Sequence, residues 1–122
     1  MKMFSVTLSL AALAISALPA SAHHSGAMFD RSKTVSRTGV VKEYIYSNPH
    51  TWLNITVDEG GRQVIWGVEG SPPARMRGWG MTPSNIKPGD KVTVRMHPLR
   101  DGRPGGSMID LVLPDGKLLS TQ

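Results

Sequence analysis

The chain has 122 residues with 14 Lys and Arg against 9 Asp and Glu, a formal net charge of +5, and it contains no cysteine. This length fits one small domain and excludes a two-domain enzyme with an interdomain cleft, while the lack of cysteine excludes disulfides, thiolate metal ligands and cysteine nucleophiles. The positive charge is modest and scattered, so we predict no nucleic-acid partner.

Residues 1–22 have the pattern of a secretory signal peptide. Lys2 provides a positive start, residues 4–18 are almost wholly apolar, and Ala20-Ser21-Ala22 provides small residues for cleavage. A transmembrane anchor is the alternative, but the apolar run of about 15 residues is shorter than the roughly 20 that span a bilayer. We predict cleavage after this tripeptide, a periplasmic product without an integral membrane segment, and His23 as the new N-terminus.

The mature chain is predicted to be an arm, residues 23–34, followed by one all-β domain, residues 35–122. The arm shows no sustained period, and its expected docking points are Met28 and Phe29. Runs of β-branched and aromatic residues bounded by turn residues predict strands at 38–46, 51–57, 63–68, 91–96 and 107–113, with a strand-like tail after residue 116. In the second strand, Leu53, Ile55 and Val57 alternate with Trp52, Asn54 and Thr56, so one face is predicted to be buried.

Between the third and fourth strands the pattern changes to that of a helix. Ser71 as N-cap, prolines in the first turn and a closing glycine predict one short helix over residues 71–79. The glycine-rich residues 101–106 are predicted to be an irregular loop.

Three meander strands, a short helix and two further strands are the order of a small five- to six-stranded OB-like barrel, with a small β-sandwich as the alternative. Strands 1 and 4 pair antiparallel in this order, so we expect His97 near the beginning of strand 1. His50 follows the end of strand 1, about 23 Å away along the strand.

Several short motifs follow one another along the mature chain: His23-His24-Ser25, Met28-Phe29-Asp30, Asn48-Pro49-His50-x-Trp52, Trp66-x-x-Glu69 with Ser71-Pro72, Gly78-Trp79, Lys87-Pro88-Gly89-Asp90 and His97-Pro98-x-x-Asp101-Gly102. Together they resemble domain-of-unknown-function family 6152, a family of small exported bacterial proteins. The resemblance covers essentially the whole mature chain and implies an exported single domain. It brings no assigned activity, so no catalytic residue is transferred from it.

Copper is the metal that the available ligands favour. Without cysteine, a transition-metal site must use imidazole, amine, carboxylate or thioether groups, and thioether sulfur selects Cu(I). After cleavage the α-amine and ring of His23 form a bidentate nitrogen chelate, with His24 next to it and the thioether of Met28 nearby. Either His50 or His97 would complete a three-nitrogen copper site, and we favour His50. In the alternative interpretation these histidines have only structural roles.

The second hypothesis is a metal-free module that binds a small exported ligand or a protein on an aromatic face. Trp52 shares its strand face with polar side chains, and OB-type barrels bind ligands on such faces, although core packing is the other interpretation of this residue. Trp52 and Glu69 are the candidate ligand-binding residues. We predict no enzyme, because no nucleophile elbow, phosphate loop or dinucleotide fingerprint is present.

Overall fold

The computed structural model describes residues 25–121 of the chain. A 3-10 helical turn, Ser25–Met28, precedes the following elements: β1 (Val35–Ile45), β2 (Trp52–Glu59), β3 (Arg62–Glu69), α1 (Pro73–Gly78), β4 (Lys91–Pro98), β5 (Gly105–Val112) and β6 (Leu118–Ser120). The strands form one sheet in the order β3-β2-β1-β4-β5-β6, and an additional pairing between β3 and β5 closes it. The predicted all-β, OB-like barrel is confirmed: five strands close the barrel and β6 extends it.

The core follows from the two-residue period of the strands. Leu53, Ile55 and Val57 of β2 are buried, while Trp52 on the opposite face is 39% exposed. Helix α1 contributes Met76, which is fully buried in the same core cluster. Within residues 25–121, no helix has the length and apolar character needed to cross a membrane.

Helix α1 is shorter than predicted and lacks the predicted cap. It runs over Pro73–Gly78 with Pro72 at the N-cap position and no side-chain capping bond. The prediction of Ser71 as N-cap is wrong because the carbonyl of Ser71 is bound to another element. It accepts hydrogen bonds from the backbone N–H of Thr51 at 3.2 Å and from the Thr51 hydroxyl at 2.9 Å. These bonds tie Ser71 to the start of β2, so the helix begins only after it.

The predicted loop over residues 101–106 is wrong in its last two residues, because β5 begins at Gly105. Here β5 pairs in parallel with β3, in the register Gly67↔Gly105 and Glu69↔Ser107. A Cβ atom on Gly106 would overlap the carbonyl oxygen of His97 and lie 2.7 Å from Cγ of Met96. These glycines are therefore strand residues that let three backbones approach closely enough to close the barrel.

Replacing Gly106 with alanine is expected to lower the free energy of unfolding by roughly 1–3 kcal/mol, because the new methyl group overpacks the barrel closure. Thermal unfolding followed by circular dichroism measures the effect. Gly78→Ala is the matched control, because a Cβ atom at Gly78 meets no heavy atom within 4 Å. Equal melting temperatures for the two variants would contradict the closure argument.

Candidate functional site

The candidate site is built around a histidine and a buried carboxylate at one end of the barrel. Nδ1 of His50 lies 3.3 Å from Oε1 of Glu69, and the two side chains are 40% and 8% exposed. The same Nδ1 lies 3.2 Å from the carbonyl oxygen of Gly70. His50 comes from the loop before β2 and Glu69 ends β3, so the β2–β3 hairpin brings the pair together.

The backbone on both sides of this pair is fixed by hydrogen bonds. The buried residue Thr51 binds Ser71, and the N–H of Gly70 donates to the carbonyl of Thr51 at 2.9 Å. A Cβ atom on Gly70 would overlap Oγ1 of Thr51 and lie 2.8 Å from Cε of Met76. Glycine at this position lets the two segments come together, and it leaves the Gly70 carbonyl next to the imidazole.

The two contacts at Nδ1 determine which nitrogen of His50 carries the proton. A carboxylate and a carbonyl oxygen only accept hydrogen bonds, so we assign the proton of the neutral ring to Nδ1. Nε2 then keeps its lone pair. Metal-binding histidines have this arrangement, because their second nitrogen donates to a carboxylate or a backbone carbonyl that orients the ring.

A polar cavity of about 300 Å³ adjoins the pair. Its lining comes from the arm, the loop before β2, the segment from β3 to α1, β5 and the residue after β6: Phe29, Arg31, His50, Glu69, Gly70, Ser71, Arg75, Trp79, Ser107, Met108 and Thr121. Arg31 and Arg75 are exposed, and neither forms an ion pair with an acidic residue in the part of the chain described. The lining thus includes an imidazole, two exposed guanidinium groups and Met108, which is 7% exposed and also belongs to the hydrophobic core.

The arm reaches this cavity because Phe29 anchors it on the barrel, as predicted. Phe29 is 3% exposed and forms an isolated antiparallel bridge with Leu99. The N–H of Asp30 donates to the carbonyl of Pro98 at 2.8 Å. Hydrogen bonds from the hydroxyl and then the N–H of Ser32 hold the pKa of the Asp30 carboxyl below its usual value, so this turn keeps its charged acceptor in mild acid.

His97 lies near the beginning of β1, as predicted. Its Nδ1 is 2.9 Å from the carbonyl oxygen of Lys33, so its Nε2 also keeps the lone pair. We expected His97 and His50 to lie about 23 Å apart, a distance counted along β1. Because the barrel closes, a shorter path connects them through β5 and β3. Ser107 pairs with both Glu69 and His97, which places those two backbones about two strand spacings, roughly 10 Å, apart. His97 does not line the cavity.

Met28 and Trp52 belong to a different surface. They line a second, apolar cavity of about 410 Å³, and Phe29 forms a wall of both cavities. The structure therefore does not place Met28 with His50. The methionine in the lining of the His50 cavity is Met108, a core residue of β5 that no sequence pattern connects with His50, because β5 joins the site through barrel closure.

Residues 25–121 contain no group of three or more His, Asp or Glu side chains placed to hold a metal ion. His23 and His24 lie outside the described residues, so the amine and imidazole ligands of the arm stay a prediction. What the structure brings together from the predicted set is His50 with Glu69. Trp52 pairs with Glu69 in the strand register but faces the other cavity.

The fold and the arm define a small OB-type barrel with a docked N-terminal segment. Residues 11–108 match the family described as Family of unknown function (DUF6152), and the chain belongs to this family. The mitochondrial single-stranded DNA binding protein Rim1 from S. cerevisiae is similar in structure, with a TM-score of 0.52 and 12% sequence identity over 66% of this chain and 92% of that one. At this identity the similarity shows the fold alone. No curated protein sequence matches the chain.

Proposed function

We propose that this chain is an exported, non-catalytic binding protein that holds one copper ion at the polar cavity. The ligands are Nε2 of His50 and, once residues 1–22 are removed, the α-amine and ring of His23, with His24 beside them. The observation that carries the proposal is the contact of Nδ1 of His50 with Glu69 and Gly70, which leaves Nε2 free in the orientation that metal-binding histidines share.

The arm supports the choice of His50 over His97. Phe29 lines the cavity of His50 and lies six positions after His23; because Ser25–Met28 form a 3-10 turn with a rise of about 2 Å per residue, the span from Phe29 to His23 is up to about 15 Å. The N-terminal chelate is therefore within reach of His50 without undocking of Phe29. The imidazole and amine nitrogens suit copper.

The test is a Cu(II) titration of protein that begins at His23 and of protein with one extra residue before it. The extension removes the free amine from His23, so we expect at least ten-fold weaker binding, about 1.4 kcal/mol. Competition with a chelator of known affinity measures both dissociation constants.

His50→Gln is expected to cause a comparable loss, because the glutamine amide lacks the basic nitrogen that copper needs. The matched control is His97→Gln, which alters a histidine with the same tautomer outside the cavity and should leave the affinity within about three-fold of the wild type. Unchanged copper binding in both the extended protein and the His50 variant would disprove the proposed site.

A second function, metal-independent ligand binding, is favoured by the apolar cavity around Trp52. This cavity shares no residue with the copper ligands proposed above, so binding there is expected to persist in the His50 variant.

A further inference from the structure

One edge of the barrel carries backbone groups that no strand among residues 25–121 pairs. The two-residue turn Gly60-Gly61 makes Glu59 and Arg62 a hydrogen-bonded pair. Hydrogen-bonded and non-hydrogen-bonded pairs alternate along an antiparallel ladder, so Gln63 and Ile65 are in non-hydrogen-bonded pairs. Their N–H and C=O groups therefore point away from β2. Strand β5 pairs with β3 only from Gly67 onwards. None of the backbone hydrogen bonds found across residues 25–121 uses these four groups.

The open edge borders the apolar cavity. Ile65 is 46% exposed, and together with Trp52 at 39% and Met28 at 42% it lines this cavity of about 410 Å³. The rest of the lining is Phe29, Gly67, Leu99, Arg103 and Pro104. An apolar surface therefore lies directly beside two unpaired donors and two unpaired acceptors.

We propose that this edge binds an extended peptide segment of a partner protein, which adds a strand to β3 and places apolar side chains in the cavity. A sugar or a lipid could fill the apolar cavity, but only an extended backbone also satisfies donors and acceptors spaced along a strand. Strand β5 pairs with this side of β3 from Gly67, two residues after Ile65. The added strand therefore lies in line with β5 along the same edge. The peptide residue that pairs with Ile65 projects its side chain from the same face of the sheet as Trp52.

Charged residues next to the edge favour an acidic end on the segment. Arg103 lines the cavity and is ion-paired with Asp101, while Arg62 begins β3 opposite Glu59, is exposed, and has no acidic group of the described residues within ion-pair distance. An acidic residue at the end of the peptide next to Arg62 would complement this charge. The partner segment is therefore extended, alternately apolar, and acidic at its end.

The probe is the synthetic peptide acetyl-Glu-Val-Thr-Val-Thr-Val-Glu-amide, which carries acids at both ends and so serves either strand direction. We expect binding detectable by isothermal titration calorimetry. We expect at least ten-fold weaker binding when the central residues are N-methylated, since methylation removes the donors that pair with β3. A version with lysine at both ends should also bind more weakly, because it repels Arg62.

Ile65→Pro removes the outward N–H of β3, and proline is tolerated where an edge N–H faces solvent. The matched control Ile65→Thr keeps the N–H, so the proline variant should bind the peptide more weakly than the threonine variant. If the proline variant is misfolded by circular dichroism, the N-methylated peptide still decides the question on the wild-type protein. Absence of binding, or equal binding of the methylated peptide, overturns the proposal. Self-association abolished by Ile65→Pro would assign the edge to a second copy and also overturn it.

Discussion

Replacing Glu69 with glutamine is expected to weaken Cu(II) binding by about ten- to one-hundred-fold, the usual cost of losing a group that orients a metal-binding histidine. Glutamine keeps the size of the side chain, but its neutral amide oxygen is a weaker hydrogen-bond acceptor for Nδ1–H of His50 than a carboxylate. Because the carboxylate is 8% exposed, solvent does little to compensate for its loss. The affinity is measured by chelator competition on protein that begins at His23.

The control for this substitution is Glu43→Gln. It removes one negative charge from an exposed carboxylate that binds Asn54 and does not line the cavity. We expect wild-type copper affinity for the control and wild-type circular dichroism spectra for both variants. Wild-type affinity in the Glu69 variant would show that the carboxylate does not orient a copper ligand.

Replacing Phe29 with alanine is expected to release the arm while the barrel stays folded. Removal of a buried phenylalanine side chain costs about 3–5 kcal/mol, and the arm is otherwise held by few backbone hydrogen bonds. These include Asp30 N–H to Pro98 at 2.8 Å and Arg100 N–H to Met28 at 2.9 Å. We expect protection of these two amides from hydrogen exchange to fall by about 100-fold or more, since 1.4 kcal/mol is a factor of ten.

The same variant should bind copper more weakly, because His23 is no longer held near His50. Met28→Ala is the comparison, as Met28 is adjacent but 42% exposed and contributes less to docking. Protection of the core amides of β2 should remain high in both variants. Retained protection of Asp30 and Arg100 in the Phe29 variant would mean that the ring is not the anchor of the arm.

Local patterns were sufficient to predict the barrel. The alternation of Leu53, Ile55 and Val57 with polar positions identified the buried face of β2, because a strand has only two faces. The order of strands and helix then left few possible topologies. What local patterns misjudged was Gly105-Gly106, whose composition favours a loop. Their place in a strand depends on contacts with β3 and β4, which are distant in sequence.

The site was predictable in part. Counting the register back from the two-residue turn at Gly60-Gly61 pairs Trp52 with Glu69, which indicates that His50, two residues before Trp52, lies close to the same carboxylate. The contributions of Arg31, Arg75 and Met108 were not predictable in this way. They reach the cavity through arm docking, helix packing and barrel closure, and none of these leaves a periodic signal in the sequence.

Phe29 separates the polar cavity from the apolar one and belongs to both linings. Under the proposed functions, a shift of this ring caused by an occupant of one cavity would change the lining of the other, so the two sites would be coupled. Thermodynamic linkage makes such a coupling reciprocal: each occupant changes the affinity of the other by the same factor.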